Sequence, residues 1–242
     1  MDLRRLAESF ATSFRRYAGR LHAADRYLRG EGLEIGALAE PLALPKGARA
    51  RYVDIAPTEE LRKLYPRGKR RHLVDVDVVD DGETLRTVAN ESQDFVIANH
   101  FLEHAEDPIT AIQNLLRVVR RGGVLYLTIP DKRFDAEEQR EATSYEHLLR
   151  DHEQGPEVSR SNHYADAVQN GANLPAAVET AEDAAVAVLE WQEHRIRFHC
   201  WSQTEILELM VKLQRRSGFP IFEVEHFSKN QDEMVLILRR KA

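Results

Sequence analysis

Between residues 31 and 130 the sequence alternates short β-branched or aliphatic runs with helical stretches, and nothing else in it restricts the fold as strongly. Leu33 to Gly36, Ala50 to Ile55, His72 to Val79, Asp94 to Asn99 and Val124 to Pro130 each have the length and composition of a strand. Between them, Pro57-Thr58-Glu59-Glu60 predicts one helix start. Asp107-Pro108 predicts another, with a carboxylate at the N-cap and proline at the first helical position. Ile109, Ile112, Leu115, Leu116 and Val119 give that second helix its apolar stripe, which Gly122-Gly123 is expected to stop. Strands alternating with helices predict βαβ units and a largely parallel sheet covered on both faces, an α/β fold. Ligands of such sheets sit at the carboxyl ends of the strands. Chemistry is therefore expected just after Ile35, Ile55, Val79, Ala98 and Ile129.

The 242-residue chain is longer than this core requires, and its other parts read as additions within one domain. Residues 1–30 predict an amphipathic helix with Leu3, Leu6, Phe10, Phe14, Tyr17 and Leu21 on the docked face and a solvated basic face. Residues 131–190 are polar, helical and poor in large aliphatics, and read as an inserted lobe or lid. Within them Thr143-Ser144-Tyr145-Glu146 reads as a capping box, Gly155-Pro156 as a break and Ala176 to Trp191 as a further helix. In residues 191–242, the stretch 195–201 alternates like a strand and Ser202-Gln203-Thr204-Glu205 opens a helix as a second capping box. Pro220 to Phe227 and Glu233 to Arg239 form a closing antiparallel hairpin across Lys229-Asn230-Gln231-Asp232.

Composition narrows the classes of function. A net charge of −6 gives no electrostatic case for gripping a phosphate backbone, so no nucleic-acid partner is expected. The single cysteine, Cys200, cannot form an internal disulfide, which fits a reducing, cytoplasmic setting. No apolar run approaches the roughly 18 residues of a membrane span, and the N-terminus lacks a signal-peptide stretch, so no membrane partner is expected either.

Leu33-Glu34-Ile35-Gly36-Ala37-Leu38-Ala39-Glu40 stands where a dinucleotide-binding fold carries G-x-G-x-x-G, and only Gly36 remains of that pattern. Leu38 adds a side chain where bare backbone meets pyrophosphate, and Glu40 places an anion where phosphate would sit. NAD and FAD are disfavoured, while a nucleoside ligand without phosphates fits. Asp54, ending the second strand, is positioned to accept hydrogen bonds from ribose hydroxyls, although an aspartate there also serves as a plain turn former.

These segments, together with Tyr52-Val53-Asp54, the run Asp94 to His104 and Arg120-Arg121-Gly122-Gly123 through Pro130, resemble the class I S-adenosylmethionine (SAM)-dependent methyltransferases. The resemblance covers residues 31–130, and the closing hairpin suits the family's last two strands. It implies a Rossmann-like, doubly wound, mostly parallel seven-stranded sheet with an antiparallel closing hairpin and a helical insertion. SAM is the implied cofactor. Glu34, Gly36 and Ala37 match the first motif beside the methionine part of SAM. Asp54 with Ile55 matches the ribose site, and Asp80 or Asp81 the adenine contact. Asn99 and His100 fall where residues flank the sulfonium. This sequence departs from the family at the second and third glycines, replaced by Leu38 and Glu40.

Methyl transfer from a sulfonium mainly requires alignment, and a hydroxyl acceptor adds the need for a base, for which histidine is the natural choice. His100 is the first candidate. His147 and Asp151, four apart on a helix, form a second base-and-carboxylate pair, and His199 a third candidate. His104 reads as structural. Lys132 and Arg133, after the fifth strand, and His163 and Tyr164 in the inserted lobe are expected to contact the acceptor. His147, Asp151, His152, His163 and His199 have the chemistry to converge on a divalent ion. None has the H-x-x-x-H spacing of a helical zinc site, so no metal is expected. The sequence thus predicts a methyltransferase of class EC 2.1.1, O-directed, acting on a small polar or carbohydrate-type molecule, with a homodimer as an admissible assembly. The rival is a SAM-fold binding module that does not methylate.

Overall fold

The computed structural model describes residues 3–64, 72–134, 138–170 and 196–241. Seven strands form one sheet: β1 (Gly30–Ile35), β2 (Ala48–Asp54), β3 (Val78–Val79), β4 (Gln93–Asn99), β5 (Val119–Pro130), β6 (Phe222–Asn230) and β7 (Glu233–Arg240). Their order is β3-β2-β1-β4-β5-β7-β6. The first five strands pair in parallel, and β7 runs antiparallel to both β5 and β6. The chain winds outward from β1 in one direction and from β4 in the other. The gap between the carboxyl ends of β1 and β4 is therefore the crevice where such sheets bind ligands.

Alternation along each strand divides the core between the two faces. Val96, Ala98, Leu125 and Leu127 face one side, where α3 (Pro108–Val118) and α6 (Gln203–Gln214) cover them with Ile112, Leu115, Leu209 and Leu213. Phe95, Ile97, Val124 and Tyr126 face the other, against Ala23, Ala24 and Leu28 at the end of α1 (Leu3–Tyr27) and the residue after it. Gly32 stands opposite Phe95 in the β1–β4 pairing, and a Cβ there would stand 2.4 Å from the Phe95 carbonyl oxygen. The remaining helices are α2 (Thr58–Leu64), α4 (Tyr145–Gln154) and α5 (Glu157–Asn170). No helix among the described residues is long and apolar enough to cross a membrane.

Local chemistry explains most boundaries. Asp107 caps α3, its carboxylate accepting the Thr110 N–H at 2.9 Å with Pro108 at the first position. Ser202 and Glu205 form the reciprocal capping box of α6. The strand expected over His72 to Val79 shrinks to two residues, and Gly122-Gly123 lie inside β5 because α3 already ends at Val118. Ser144 alone caps α4, accepting the His147 N–H. Thr143 bonds Cys200 in both directions instead, so the expected box there is absent.

Residues 196–200 form no strand. Ile196, Phe198, His199, Cys200 and Trp201 are all buried, because the inserted lobe covers one side of this run and the sheet the other. Only Asp131 and Trp201 bridge as strand partners. The apolar face expected for α1 is also corrected: Phe14 and Tyr17 are exposed. Leu21 packs on the core as expected, and the helix docks further through Ala23 and Ala24 and through Arg16 and Arg20, which pair with Asp232 and Glu233. The side chains of Leu3, Leu6 and Phe10, and the helix expected over 176–191, lie outside the described residues.

Candidate active site

A cavity of about 410 Å³ opens at the carboxyl ends of β1 and β4, within the size range of small-molecule sites. Glu34, Gly36, Ala37, Leu38, Asn99 and His100 line its floor. Gly36 turns the chain away from β1 with φ +61°, a conformation glycine adopts without strain, and its N–H donates to the Val53 carbonyl at 2.9 Å. A Cβ on Gly36 would meet nothing within 4 Å, so the backbone here faces open space. Leu38 also takes a positive φ, +51°, and its carbonyl accepts the Val74 N–H at 2.8 Å. A leucine held in that conformation by a tertiary bond keeps the loop folded without the missing glycines.

Asp54, Ile55, Asp80 and Asp81 share the same edge of the sheet but do not line the cavity. Asp54 Oδ1 accepts the Ile55 N–H at 2.8 Å, and Ile55 is half-exposed. The Asp80 N–H donates to the Asp54 carbonyl at 3.0 Å, which fixes the two acids side by side. Burial, the largest single influence, works against the Asp80 charge, but the Thr87 hydroxyl and the N–H groups of Thr87, Asp81 and Arg86 together outweigh it and hold the carboxyl below its usual range. Asp81 accepts the Glu83 N–H at 2.8 Å.

Two titratable groups on the floor are strongly perturbed. Glu34 is buried beneath the cavity. One carboxylate oxygen accepts the Leu42 N–H at 2.9 Å, while Oε2 has no hydrogen-bond partner among the described residues. Burial pushes its pKa up to about 7, against smaller opposing effects of Leu42, Asn99 and Arg20. His100, with φ +49°, is clamped between two acids: Nε2 lies 2.7 Å from Glu233 Oε2 and Nδ1 3.3 Å from Glu103 Oε1. Burial opposes its charge, yet the two carboxylates outweigh burial and lift its pKa to about 9. Glu233 in turn falls to about 2, because Arg20 and His100 overcome the effect of its own burial. His100 is therefore a cation at neutral pH and has no lone pair with which to accept a proton.

His104, read from sequence as structural, lines the same cavity. Its Nδ1 lies 2.7 Å from the Ile196 carbonyl, which can only accept, so Nδ1 carries the hydrogen and Nε2 keeps a lone pair. The sequence offered no signal for this, since Ile196 lies 92 positions away. Arg16, Arg20, Arg197 and Glu40 also line it, the first two paired with Asp232 and Glu233, and no Phe, Tyr or Trp lines the cavity among the described residues.

The other expected residues gather elsewhere. His147 and Asp151 do meet on α4, with Nε2 to Oδ2 at 3.0 Å, but they join His163 and His199 in a separate cluster that does not line the cavity. Burial lowers the pKa of all three histidines, most of all the fully buried His199; neighbouring imidazoles add to it for His163 and His199, and Arg150 for His147. Tyr164 packs near Phe198, with ring centroids 6.1 Å apart. Lys132 donates to the Glu138 carbonyl at 2.9 Å. Arg133 forks onto Asp131 at 2.9 and 2.6 Å, so its charge is directed back at the chain rather than toward an acceptor.

A profile of the methyltransferase-domain family matches residues 30–127. Among solved structures, the chain is similar to a SAM-dependent methyltransferase of Thermotoga maritima, described as a possible histamine N-methyltransferase. The two share 19% identity over 99% of this chain and 96% of that one, with a TM-score of 0.50. It is similar to a Rhodobacter sphaeroides protein named for zinc-dependent alcohol dehydrogenases, at 16% identity over 89% and 86% of the two chains, with a TM-score of 0.55. A third likeness is to the complex of the Trm112 methyltransferase activator with a methyltransferase from Haloferax volcanii, at 12% identity over 95% and 90%, with a TM-score of 0.52. At these identities the structural likeness concerns the fold alone. A comparison with curated proteins finds no match.

Proposed function

We propose, from the match of residues 30–127 to the methyltransferase-domain family, that this chain is a class I SAM-dependent methyltransferase and transfers the methyl group of SAM to an oxygen of a small polar or carbohydrate-type acceptor. The observation that carries the proposal is the 410 Å³ cavity at the β1–β4 crevice, with an unpartnered buried carboxylate oxygen on Glu34 and bare backbone at Gly36. Both features suit SAM, which is cationic and carries no phosphate. When bound, SAM supplies a methyl group on a sulfonium, which is already a good leaving group.

The residues then divide the remaining work. Glu34 supplies negative potential at the floor, and a cationic ligand favours its ionised form, so affinity for SAM should rise with pH toward 7 and then level off. Asp54 and Asp80 are placed along the edge as acceptors for the nucleoside. Clamped by Glu103 and Glu233, His100 is a positioning residue that holds the end of β4 against β7. In this reading His104 Nε2 takes the proton from the acceptor hydroxyl, a contribution of about 10²–10⁴-fold in rate. A polar lining without Phe, Tyr or Trp among the described residues favours a polar acceptor over a flat ring.

The test is release of S-adenosylhomocysteine over a panel of hydroxyl, carboxyl and amine acceptors. Turnover confined to oxygen acceptors, with His104→Ala lowering kcat about 10²-fold or more, supports the proposal. Turnover confined to amines, or unchanged kcat in His104→Ala, overturns the O-directed reading. Absence of turnover with intact SAM binding favours the non-methylating module.

A further inference from the structure

Four side chains from three separate segments converge in the inserted lobe. His147 and Asp151 come from α4 and His163 from α5, while His199 comes from the run leading into α6. One ring nitrogen from each histidine lies within 4.8 Å of the others. The inner distances are tighter: His147 Nε2 to His163 Nε2 is 3.1 Å, and Asp151 Oδ2 lies 3.0 Å from the first and 3.5 Å from the second. Donors about 2.0–2.1 Å from one ion at tetrahedral angles are themselves about 3.3–3.4 Å apart. The spacing of His147, His163 and Asp151 is that of ligands around a shared centre, and the His199 nitrogen stands within 4.8 Å of both histidines.

Satisfaction of the polar atoms points the same way. His199 is fully buried, and neither ring nitrogen meets ordinary hydrogen-bond geometry among the described residues. Asp151 is equally buried. Its Oδ1 accepts the Ser159 hydroxyl at 2.5 Å, while Oδ2 faces His147 and His163 and meets no well-aligned hydrogen bond among the described residues. An outer hydrogen bond on a carboxylate whose other oxygen faces a donor cluster is the usual support of a metal ligand. Arg140, itself buried, holds the His199 segment in place by donating to the Arg197 and Phe198 carbonyls at 3.0 and 3.2 Å.

We propose that His147, Asp151, His163 and His199 bind one divalent transition-metal ion, zinc by its donor set of three imidazoles and a carboxylate, as a structural site that fastens the inserted lobe to the segment before α6. All four corners come from the protein, which marks a structural site rather than a catalytic one with an open position. Cys200, the adjacent thiol, is turned away and donates to the Glu141 carbonyl. The competing arrangement is a proton. Arg150 Nη2 sits 2.9 Å from His147 Nδ1, and in that tautomer the hydrogen resides on Nε2 and serves Asp151. That proton satisfies one pair and leaves His199 with the Glu106 backbone alone, whereas an ion satisfies the set. Arg150 is half-exposed and also reaches Asp151 Oδ1 at 4.0 Å and the Ser159 hydroxyl at 3.4 Å, so metal binding through His147 Nε2 requires it to give up only the Nδ1 contact.

The test uses the full chain, purified without a histidine tag. Elemental analysis is expected to find about one zinc per chain. Removal by a chelator should lower Tm, and zinc, but not magnesium, should restore it. Cobalt loading should give the intense visible bands of a tetrahedral site. His163→Gln, and independently Asp151→Asn, should lose most of the metal while keeping far-UV circular dichroism and SAM binding. A folded, chelator-treated wild type that takes up no zinc in competition with a chromogenic chelator overturns the proposal. So does a metal content unchanged in both variants, and so does an octahedral cobalt spectrum.

Discussion

Replacing Glu34 by Gln isolates the electrostatic state of the cavity floor. Burial raises the Glu34 pKa from 4.5 to about 7. At about 1.4 kcal/mol per unit this corresponds to roughly 3 kcal/mol of differential stability between its two protonation states. The sign follows from linkage. Between pH 4.5 and 7 the folded chain holds this proton and the unfolded chain releases it, so wild type loses stability as pH rises through that window. Glutamine is neutral throughout, keeps an oxygen for the Leu42 N–H, and places an unpartnered amide where Oε2 stood, at a pH-independent cost of about 1–3 kcal/mol. Chemical unfolding of both proteins at about pH 5 and about pH 8.5 should show the variant gaining roughly 2.5 kcal/mol relative to wild type across that interval. A difference between the two proteins that does not change with pH refutes the reasoning.

Two further predictions concern the frame of the site. His100, raised from 6.5 to about 9, contributes stability that is complete below about pH 6.5 and is lost as pH climbs through about 9. His100→Gln should remove roughly 3 kcal/mol of that pH dependence, and an unfolding profile between pH 7 and 10 as steep as wild type contradicts the clamp. Gly32→Ala would drive a Cβ to 2.4 Å from the Phe95 carbonyl. It should cost about 1–3 kcal/mol or more by forcing β1 from β4; an unchanged Tm argues against the close approach.

The sheet was legible because its signal is local: alternation, caps and turn residues act within a few positions, and Asp107, Ser202 and the Gln231-Asp232 turn behave as their chemistry dictates. What escaped the sequence depends on distant pairing. The Arg16 and Arg20 face of α1 reads as solvated, yet its partners Asp232 and Glu233 lie more than 200 positions away. His100 has a base's ordinary pKa until Glu103 and Glu233 enclose it. Residues 196–201 alternate like a strand but are buried on both sides, so no face is left for the pattern to report. The histidine cluster shows no i, i+4 pair of histidines because its members come from α4, α5 and the segment before α6. Glu34, Gly36 and Asn99 were readable because a strand's carboxyl end is a fixed address in this architecture.

Isothermal titration of the purified chain with SAM and with S-adenosylhomocysteine tests the central claim most directly. One molecule of each should bind per chain, SAM more tightly as pH rises toward 7, and Asp54→Ala should weaken both by about tenfold or more, the worth of a charge-assisted hydrogen bond. A folded sample that takes up neither ligand at millimolar concentration, or a Asp54→Ala variant with wild-type affinity for both, contradicts the account.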